Sequence, residues 1–419
     1  MIVEKHKLFV LHLLIILRYI LVFVFDDSMK GIKILYFFPY PIVNRNHGNV
    51  TRAIQFLQYF EARKNHISVD FVTEEHNYVT DEKEKMELLF PGLRTFFLQR
   101  KHDKSNYLRY LIKGKIPHII NKRQQKKFHT HIPSEVTHRA RQQFDEILKA
   151  NSYDVIIISY VFWASLIRNN PYIGKAKLVM DTHDLMTGQY KSREGFRLGA
   201  TFEEEMNILN EFHETWSIST DELYLFSQFA PKSKHFFVPV MFEKKPVAVS
   251  EDKPYDLIYV ASDNPCNQKS AKWFFEKVYP LLPQHLKICV IGGIVKFIPD
   301  LPNVHKVFFA ETLDTYYQQS KIAICPMLEG TGVKVKVVEA FSFGLPVVCT
   351  LRGLDGLPAK KHNGCLMAAD EAAFVKHILN LLEDATLYNR VREEGIAMIE
   401  KYFDKESVYR ELDEILGIA

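Results

Sequence analysis

Cysteine is sparse in this chain and follows no pattern. Five occur in 419 residues, Cys266, Cys289, Cys325, Cys349 and Cys365, with no Cys-x-x-Cys pair and no Cys/His zinc spacing. An odd number without metal spacing argues against a disulfide framework and for free buried thiols in a reducing compartment. An excess of charge of one sign is also missing. Lys+Arg 54 against Asp+Glu 50 leaves +4, too little to argue for nucleic-acid binding by itself. No internal repeat with a period of about 20–50 residues occurs, and no low-complexity tract. Hydrophobic residues at 47% and charged residues at 25% are ordinary globular values, which excludes a disordered, collagen-like or multi-span membrane chain. At roughly 150 residues per domain, the length suggests two to three domains.

Long apolar runs are absent but for one. Leu8 to Phe25 is apolar except for His12 and Arg18, and ~18 residues are just enough to span a bilayer. Its apolar residues contribute roughly −5 to −9 kcal/mol to insertion, against about +3 for Arg18. The following Phe25-Asp26-Asp27-Ser28 is no small-residue cleavage site, which argues against a cleaved signal peptide. Two readings stay open: an N-terminal membrane anchor, or translation that begins at Met29.

What is present is a regular alternation of short β-branched runs with helical stretches, the pattern of parallel α/β sheets. In the first half the expected strands are Ile32–Phe38, Ile67–Val72, Asp154–Ser159, Ala176–Asp181 and Thr215–Ser219. A second series comprises Tyr255–Ala261, Leu286–Ile291, Val304–Phe309, Lys321–Pro326 and Pro346–Thr350. The seam runs from Pro239 to Pro254, where Lys244-Lys245-Pro246 and Glu251-Asp252-Lys253-Pro254 read as a linker. The expected fold class is therefore α/β, two Rossmann-like domains facing a cleft. The expected division is an N-terminal hydrophobic segment (1–28), a first domain (29–240), a second domain (241–400) and a C-terminal helix (401–419). Ligands of such sheets bind beyond the carboxyl ends of the strands.

One stretch breaks the alternation. Between Arg100 and Lys127 lie ten basic residues, Arg100, Lys101, Lys104, Arg109, Lys113, Lys115, Lys122, Arg123, Lys126 and Lys127, against the single acid Asp103. Tyr107, Leu108, Tyr110, Leu111, Ile112, Ile116, Ile119 and Ile120 are interleaved with them. Such a stretch reads as a solvated excursion or as a basic amphipathic surface for anionic lipid. Nucleic acid is a third reading, but no nucleic-acid motif accompanies it, and none is expected as a partner.

The segment Cys325-Pro326-Met327-Leu328-Glu329-Gly330-Thr331-Gly332-Val333-Lys334-Val335-Lys336-Val337-Val338-Glu339-Ala340 reads as strand, glycine loop and helix, and Phe341-Ser342-Phe343-Gly344-Leu345-Pro346-Val347-Val348 returns to a strand. Gly330 and Gly332 let backbone amides approach a phosphate, and the helix start near Val333 points its positive end at the same place. Lys334 and Lys336 in a first turn are disfavoured by the helix dipole, a cost that an anionic ligand offsets. Glu339 shares a helix face with Lys336, and a carboxylate there can accept hydrogen bonds from two vicinal hydroxyls, as on a ribose. A plain βαβ unit with exposed side chains is the alternative.

Gly-Thr-Gly, Lys-x-Lys-x-x-Glu-Ala and Gly-Leu-Pro-Val-Val in this order resemble the nucleotide-sugar site of GT-B glycosyltransferases. The resemblance is to the retaining family four, or glycosyl transferases group 1. Tyr259-Val260-Ala261-Ser262-Asp263-Asn264-Pro265-Cys266-Asn267, Ile291-Gly292-Gly293, Phe309-Ala310-Glu311, Gly353-Leu354-Asp355-Gly356-Leu357 and Asn363-Gly364 are similar to other segments of the family's second domain. The resemblance is strong over residues 255–400 and weak over 30–240. It implies that Glu339 binds the ribose, and that Lys336, Lys334 and the Gly330–Gly332 amides bind the diphosphate. The family often has a second glutamate eight residues before the first, where this chain has Thr331; Glu329 is the nearest acid. Ser262 stands where an Arg is expected, with Lys269 and Lys272 as rough substitutes.

In the first domain, His183 of Asp181-Thr182-His183-Asp184 resembles the family histidine that contacts the transferred sugar. His47 and Gly48, after Pro39-Tyr40-Pro41, stand in the acceptor loop. Glu203-Glu204-Glu205 is read as a structural helix start.

The resemblance implies transfer, with retention, from a nucleotide-sugar donor to a sugar or lipid-linked acceptor. The expected setting is cell-surface polysaccharide or glycolipid synthesis, at the cytoplasmic side of a membrane. No metal and no other cofactor is expected. A sugar-nucleotide epimerase on the same fold and an inactive membrane-associated assembly subunit are the rivals.

Overall fold

The computed structural model describes residues 31–43, 48–102, 111–125, 129–246 and 253–418. The hydrophobic run Leu8–Phe25 and His47 lie outside them.

Two parallel sheets form. The first contains β1 (Ile32–Phe37), β2 (Ile67–Glu74), β3 (Arg94–Leu98), β4 (Val155–Ser159), β5 (Lys177–Asp181), β6 (Glu214–Ser217) and β7 (Lys234–Phe237), ordered β3-β2-β1-β4-β5-β6-β7. The second contains β8 (Tyr255–Val260), β9 (Ile288–Ile291), β10 (Val304–Val307), β11 (Ser320–Cys325), β12 (Val347–Thr350) and β13 (Cys365–Ala368), ordered β10-β9-β8-β11-β12-β13. The helices that matter below are α1 (Gly48–Ala62), α2 (Ile116–Gln125), α3 (His138–Ala150), α4 (Leu198–Leu209), α5 (Thr220–Phe229), α6 (Pro265–Trp273), α7 (Val335–Ser342) and α8 (Lys405–Leu416). The expected pair of Rossmann-like domains is what forms.

Central strands are mostly apolar because helices cover both faces of the sheet. Val155–Ser159 and Val347–Thr350 are buried at every position. In each sheet the chain reverses its direction of strand addition once, between β1 and β4 and between β8 and β11. These switch points leave a crevice at the carboxyl ends of the strands.

Helix α8 begins at the second domain and packs on the first. Val408, Tyr409, Leu412 and Leu416 join the first domain's core. Arg63 makes a two-pronged bond to Asp413, 2.9 and 2.8 Å, and Lys177 Nζ donates to the Ile415 carbonyl at 3.0 Å. The first domain is thus closed by a segment more than 150 residues beyond its last strand.

Among the described residues no helix is long and apolar enough to cross a membrane. The described cysteines are free, and three of them, Cys289, Cys325 and Cys349, are buried.

Candidate active site

The second domain's half is built on the loop between β11 and α7. Gly330 and Gly332 adopt φ of 102° and 71°, left-handed values that favour glycine. At Gly332 a Cβ would stand 2.9 Å from Asp184 Oδ1 of the first domain, so the close approach requires glycine as well. The helix starts later than the sequence reading placed it: α7 opens at Val335, and Lys334 is its cap residue with φ −85° and ψ 94°. Lys334 is therefore not in the first turn. Its Nζ turns back to donate to the carbonyls of Gly332 (2.7 Å) and Thr331 (3.2 Å), closing the loop.

Lys336 does lie in the first turn, half-buried, with its ammonium drawn into the protein. Its Nζ donates to Asn267 Oδ1 at 3.1 Å and stands 5.4 Å from the Tyr259 ring centroid. Burial lowers its pKa from the usual lysine value. No carboxylate makes an ion pair with it among the described residues. A desolvated ammonium beside a helix N-terminus, partnered by an amide and a ring face, is a receptor for an anion. Asn267 is oriented by bonds to the Ser262 carbonyl (3.0 Å) and Ser262 Oγ (3.1 Å). One turn along α7, Glu339 Oε2 accepts from the Tyr317 hydroxyl at 3.2 Å. Glu329 stands apart from this group, ion-paired with Lys269 at the surface.

The first domain's half is a buried chain of charge at the end of β5. Asp181 Oδ1 accepts from Arg52 Nε of α1 at 2.7 Å, and Ser159 Oγ donates to Asp181 Oδ2 at 3.1 Å. His183 Nε2 lies 2.7 Å from the same Oδ2. Burial would raise the Asp181 carboxyl, but Arg52 and His183 outweigh it and hold the group well below the carboxylate range. Asp181 takes up the Nε2 side of the ring, which leaves the Nδ1 side for a ligand. The imidazole is stacked on Tyr160, centroids 4.3 Å apart at 13°. Both residues take left-handed backbone angles, φ 59° and 69°, costly for non-glycine residues. Asn49, next to Gly48 at the start of α1, donates to the Tyr160 hydroxyl at 2.8 Å.

Three acids brace this half. Glu205 accepts from the amides of Met186 and Thr187 at 2.7 Å each, fixing the turn after His183. Burial raises its pKa to about 7. Glu204 accepts from the amides of Thr130, His131 and Ile132. The acids were expected at a helix start, but α4 begins at Leu198, so they bind other segments' amides instead of their own helix dipole. Glu222 Oε1 accepts from the Leu185 amide at 3.0 Å. Burial and the neighbouring Asp184 push its carboxyl well up.

The halves touch. Thr331 Oγ1 donates to Asp184 Oδ1 at 3.3 Å and accepts from Gln189 Nε2 at 2.9 Å. A Cβ on Gly48 would stand 2.8 Å from Val335 Cγ2. Gly48, His183 and Gly332 therefore stand at one seam, and Gly330, Lys334, Lys336 and Glu339 belong to the loop and helix on its second-domain side. Arg52, Tyr160 and Glu222 went unnoticed in the sequence, and Asn267 and Tyr317 stood in segments of the family resemblance without a role. Tyr160 had a signal, since it directly follows the apolar run of β4; Arg52 had none, being 129 residues from its partner. Among the described residues no group of three or more His, Cys, Asp or Glu could hold a metal ion.

Residues 254–384 match the family described as glycosyl transferases group 1. The second domain is thus similar to the glycosyl transferases group 1, and the two-domain architecture is the GT-B fold. In the comparison of solved structures, sucrose-phosphate synthase from Thermosynechococcus elongatus superposes with a TM-score of 0.61 at 15% identity, covering 92% of this chain and 98% of that one. HepE of Anabaena, solved in complex with UDP and glucose, gives 0.64 at 13% over 92% and 100%. A Klebsiella pneumoniae protein described as an uncharacterized 44.6 kDa protein in the cps region is 22% identical over 316 residues, 66% of this chain and 77% of that one.

Proposed function

We propose that the protein is a glycosyltransferase that takes its sugar from a nucleoside diphosphate sugar, with retention at the anomeric carbon. The desolvated ammonium of Lys336, with no acid to neutralise it among the described residues, carries the reading. A diphosphate would supply the missing charge, and the Gly330–Gly332 amides and the α7 N-terminus would share it. Glu339 would accept the two ribose hydroxyls, and Lys334 would add its field from the same loop. As the C1–O bond breaks, charge grows on the departing diphosphate, where these groups are already in place. His183, through Nδ1, would hold a hydroxyl of the transferred sugar, and Gly48 would line the acceptor side. Retention follows from the family resemblance.

HepE with UDP and glucose, and the Staphylococcus aureus protein TarM solved with UDP and sugar ligands, support the donor class. The cps region of the Klebsiella relative supports a role in surface polysaccharide or glycolipid synthesis. Nucleotide sugars are made in the cytoplasm, where we place the cleft. No resident metal takes part in this reading, so EDTA should leave turnover within about twofold.

The test is incubation with a panel of nucleotide sugars, with and without acceptor lipids or oligosaccharides. Acceptor-dependent release of nucleoside diphosphate and a product of unchanged anomeric configuration by NMR are expected. A changed sugar nucleotide without acceptor would indicate an epimerase. Absence of nucleotide binding would indicate an inactive subunit.

A further inference from the structure

We infer that the exposed isoleucine face of residues 111–125 is a docking surface for anionic lipid. The inference stands on the first domain's geometry and is independent of the donor proposed above. Residues Leu111–Lys115 form a wide π-helical turn that runs into α2. Pro117 lacks the N–H that would bond back toward residue 113, which accounts for the wide turn there. Ile112, Ile116, Ile119 and Ile120 follow the spacing of one helix face. They are 66%, 53%, 45% and 52% exposed. The segment packs against α3, so this face is the one left to solvent. Lys115 and Arg123 are exposed beside it.

The segment is held at both roots. Before it, Arg100 pairs with Glu74 (2.8 Å) and Glu135 (2.7 Å), and His102 meets His138 at 3.0 Å. After it, Glu204 holds the amides of residues 130–132, and the Glu135 amide bonds to the Phe162 carbonyl at 3.0 Å. Both roots lie at the carboxyl ends of the strands: one follows β3, the other meets residues just after β4. That is the end of the sheet where His183 stands, so the isoleucine face flanks the first domain's side of the cleft.

Charge selects the occupant. Arg100 is spent on its two acids, and the sequence from Lys101 to Lys127 still carries nine basic residues against Asp103. A second copy of this surface would bring like charges together across a two-fold contact. An anionic lipid surface accepts both the isoleucines and the cations.

The test is hydrogen–deuterium exchange of the full chain, read at residues 111–125, with vesicles of phosphatidylglycerol or phosphatidylcholine. This local readout is separate from any binding through Leu8–Phe25. Exchange should slow about tenfold with phosphatidylglycerol, recover at about 0.5 M salt where the Debye length is a few Å, and stay unchanged with phosphatidylcholine. The Ile116→Ser/Ile119→Ser variant should lose the protection while keeping its melting temperature and nucleotide binding. Unchanged exchange on phosphatidylglycerol, or equal protection by both lipids, overturns the inference. Protection that appears without lipid as protein concentration rises points to a second copy and overturns it too. Failure of nucleotide binding in the same samples would bear on the donor reading alone.

Discussion

The two halves of the cleft are built by different means. In the second domain most of the site is contiguous: Gly330, Gly332, Lys334, Lys336 and Glu339 lie within ten residues, on one loop and one helix. Backbone conformation does most of the positioning there. In the first domain the site is assembled from Arg52, Ser159, Tyr160, Asp181, His183, Glu205 and Glu222, drawn from several elements and joined largely by side-chain bonds and stacking. A loop-and-helix site should lose ligand affinity when one side chain is cut, with little change in stability. A buried side-chain network should lose turnover and stability together, because each member leaves another unpaired.

The largest expected effect is on His183. His183→Ala removes the group nearest the reacting sugar in the proposed function. Turnover should fall about 100- to 10,000-fold, the usual contribution of a positioned catalytic side chain. Nucleotide affinity, measured by calorimetry, should stay within about twofold because the nucleotide sits on the other domain. Retained turnover would reduce His183 to a packing residue and remove the comparison's sharpest point.

Next is Arg52, which touches no proposed ligand. Arg52→Met leaves Asp181 buried without its main cation, and breaking such a pair costs about 3–5 kcal/mol. Chemical denaturation should register that loss. Turnover should fall as well, because His183 would then face an uncompensated carboxylate. Glu339→Gln, in the opposite half, should leave the denaturation midpoint nearly unchanged and weaken nucleotide binding ~10- to 100-fold, since charge-assisted bonds are worth about 1.5–3 kcal/mol. If Glu339→Gln unfolds the protein and Arg52→Met does not, the division of labour between the halves is wrong.

The same contrast explains what could be read in advance. Ten of the thirteen strands were expected within a few residues, and the three missed are β3, β7 and β13. Each is a sheet edge. Arg94–Leu98, Lys234–Phe237 and Cys365–Ala368 are paired on one side only and partly exposed, so they lack the unbroken apolar run that marks a doubly covered strand. The glycine loop between β11 and α7 was legible because its signals are local, glycines at left-handed φ and a lysine at a helix start. Even there, cap geometry escaped the sequence: Lys334 and Lys336 look equivalent as Lys-x-Lys, yet one turns back to close the loop and the other reaches to Asn267. Arg52–Asp181 and Tyr160–His183 depend on strand order. No local pattern announces that residues 52, 160 and 183 will share one pocket.

The smallest expected effect lies where the halves meet, at Thr331. Its hydroxyl donates to Asp184 and accepts from Gln189, bonds of 3.3 and 2.9 Å that cross from one domain to the other. Thr331→Val keeps the shape and removes both. Half-exposed bonds of this kind are worth about 0.5–1.5 kcal/mol each, and part of that returns as both partners take up water. The domains keep their other ties, such as the Gly356 amide to Asp221 at 2.8 Å and helix α8, so the fold should hold. What should change is the closed arrangement that brings Asp184 and His183 to the donor loop. We expect the donor KM to rise about threefold to tenfold and the melting temperature to move by no more than about two degrees. Thr331→Ser, which restores the hydroxyl, should recover the KM. A large drop in kcat with KM unchanged would mean that Thr331 acts on the transferred sugar itself, in place of the glutamate expected at that position. The second domain would then reach the reacting carbon without help from the first.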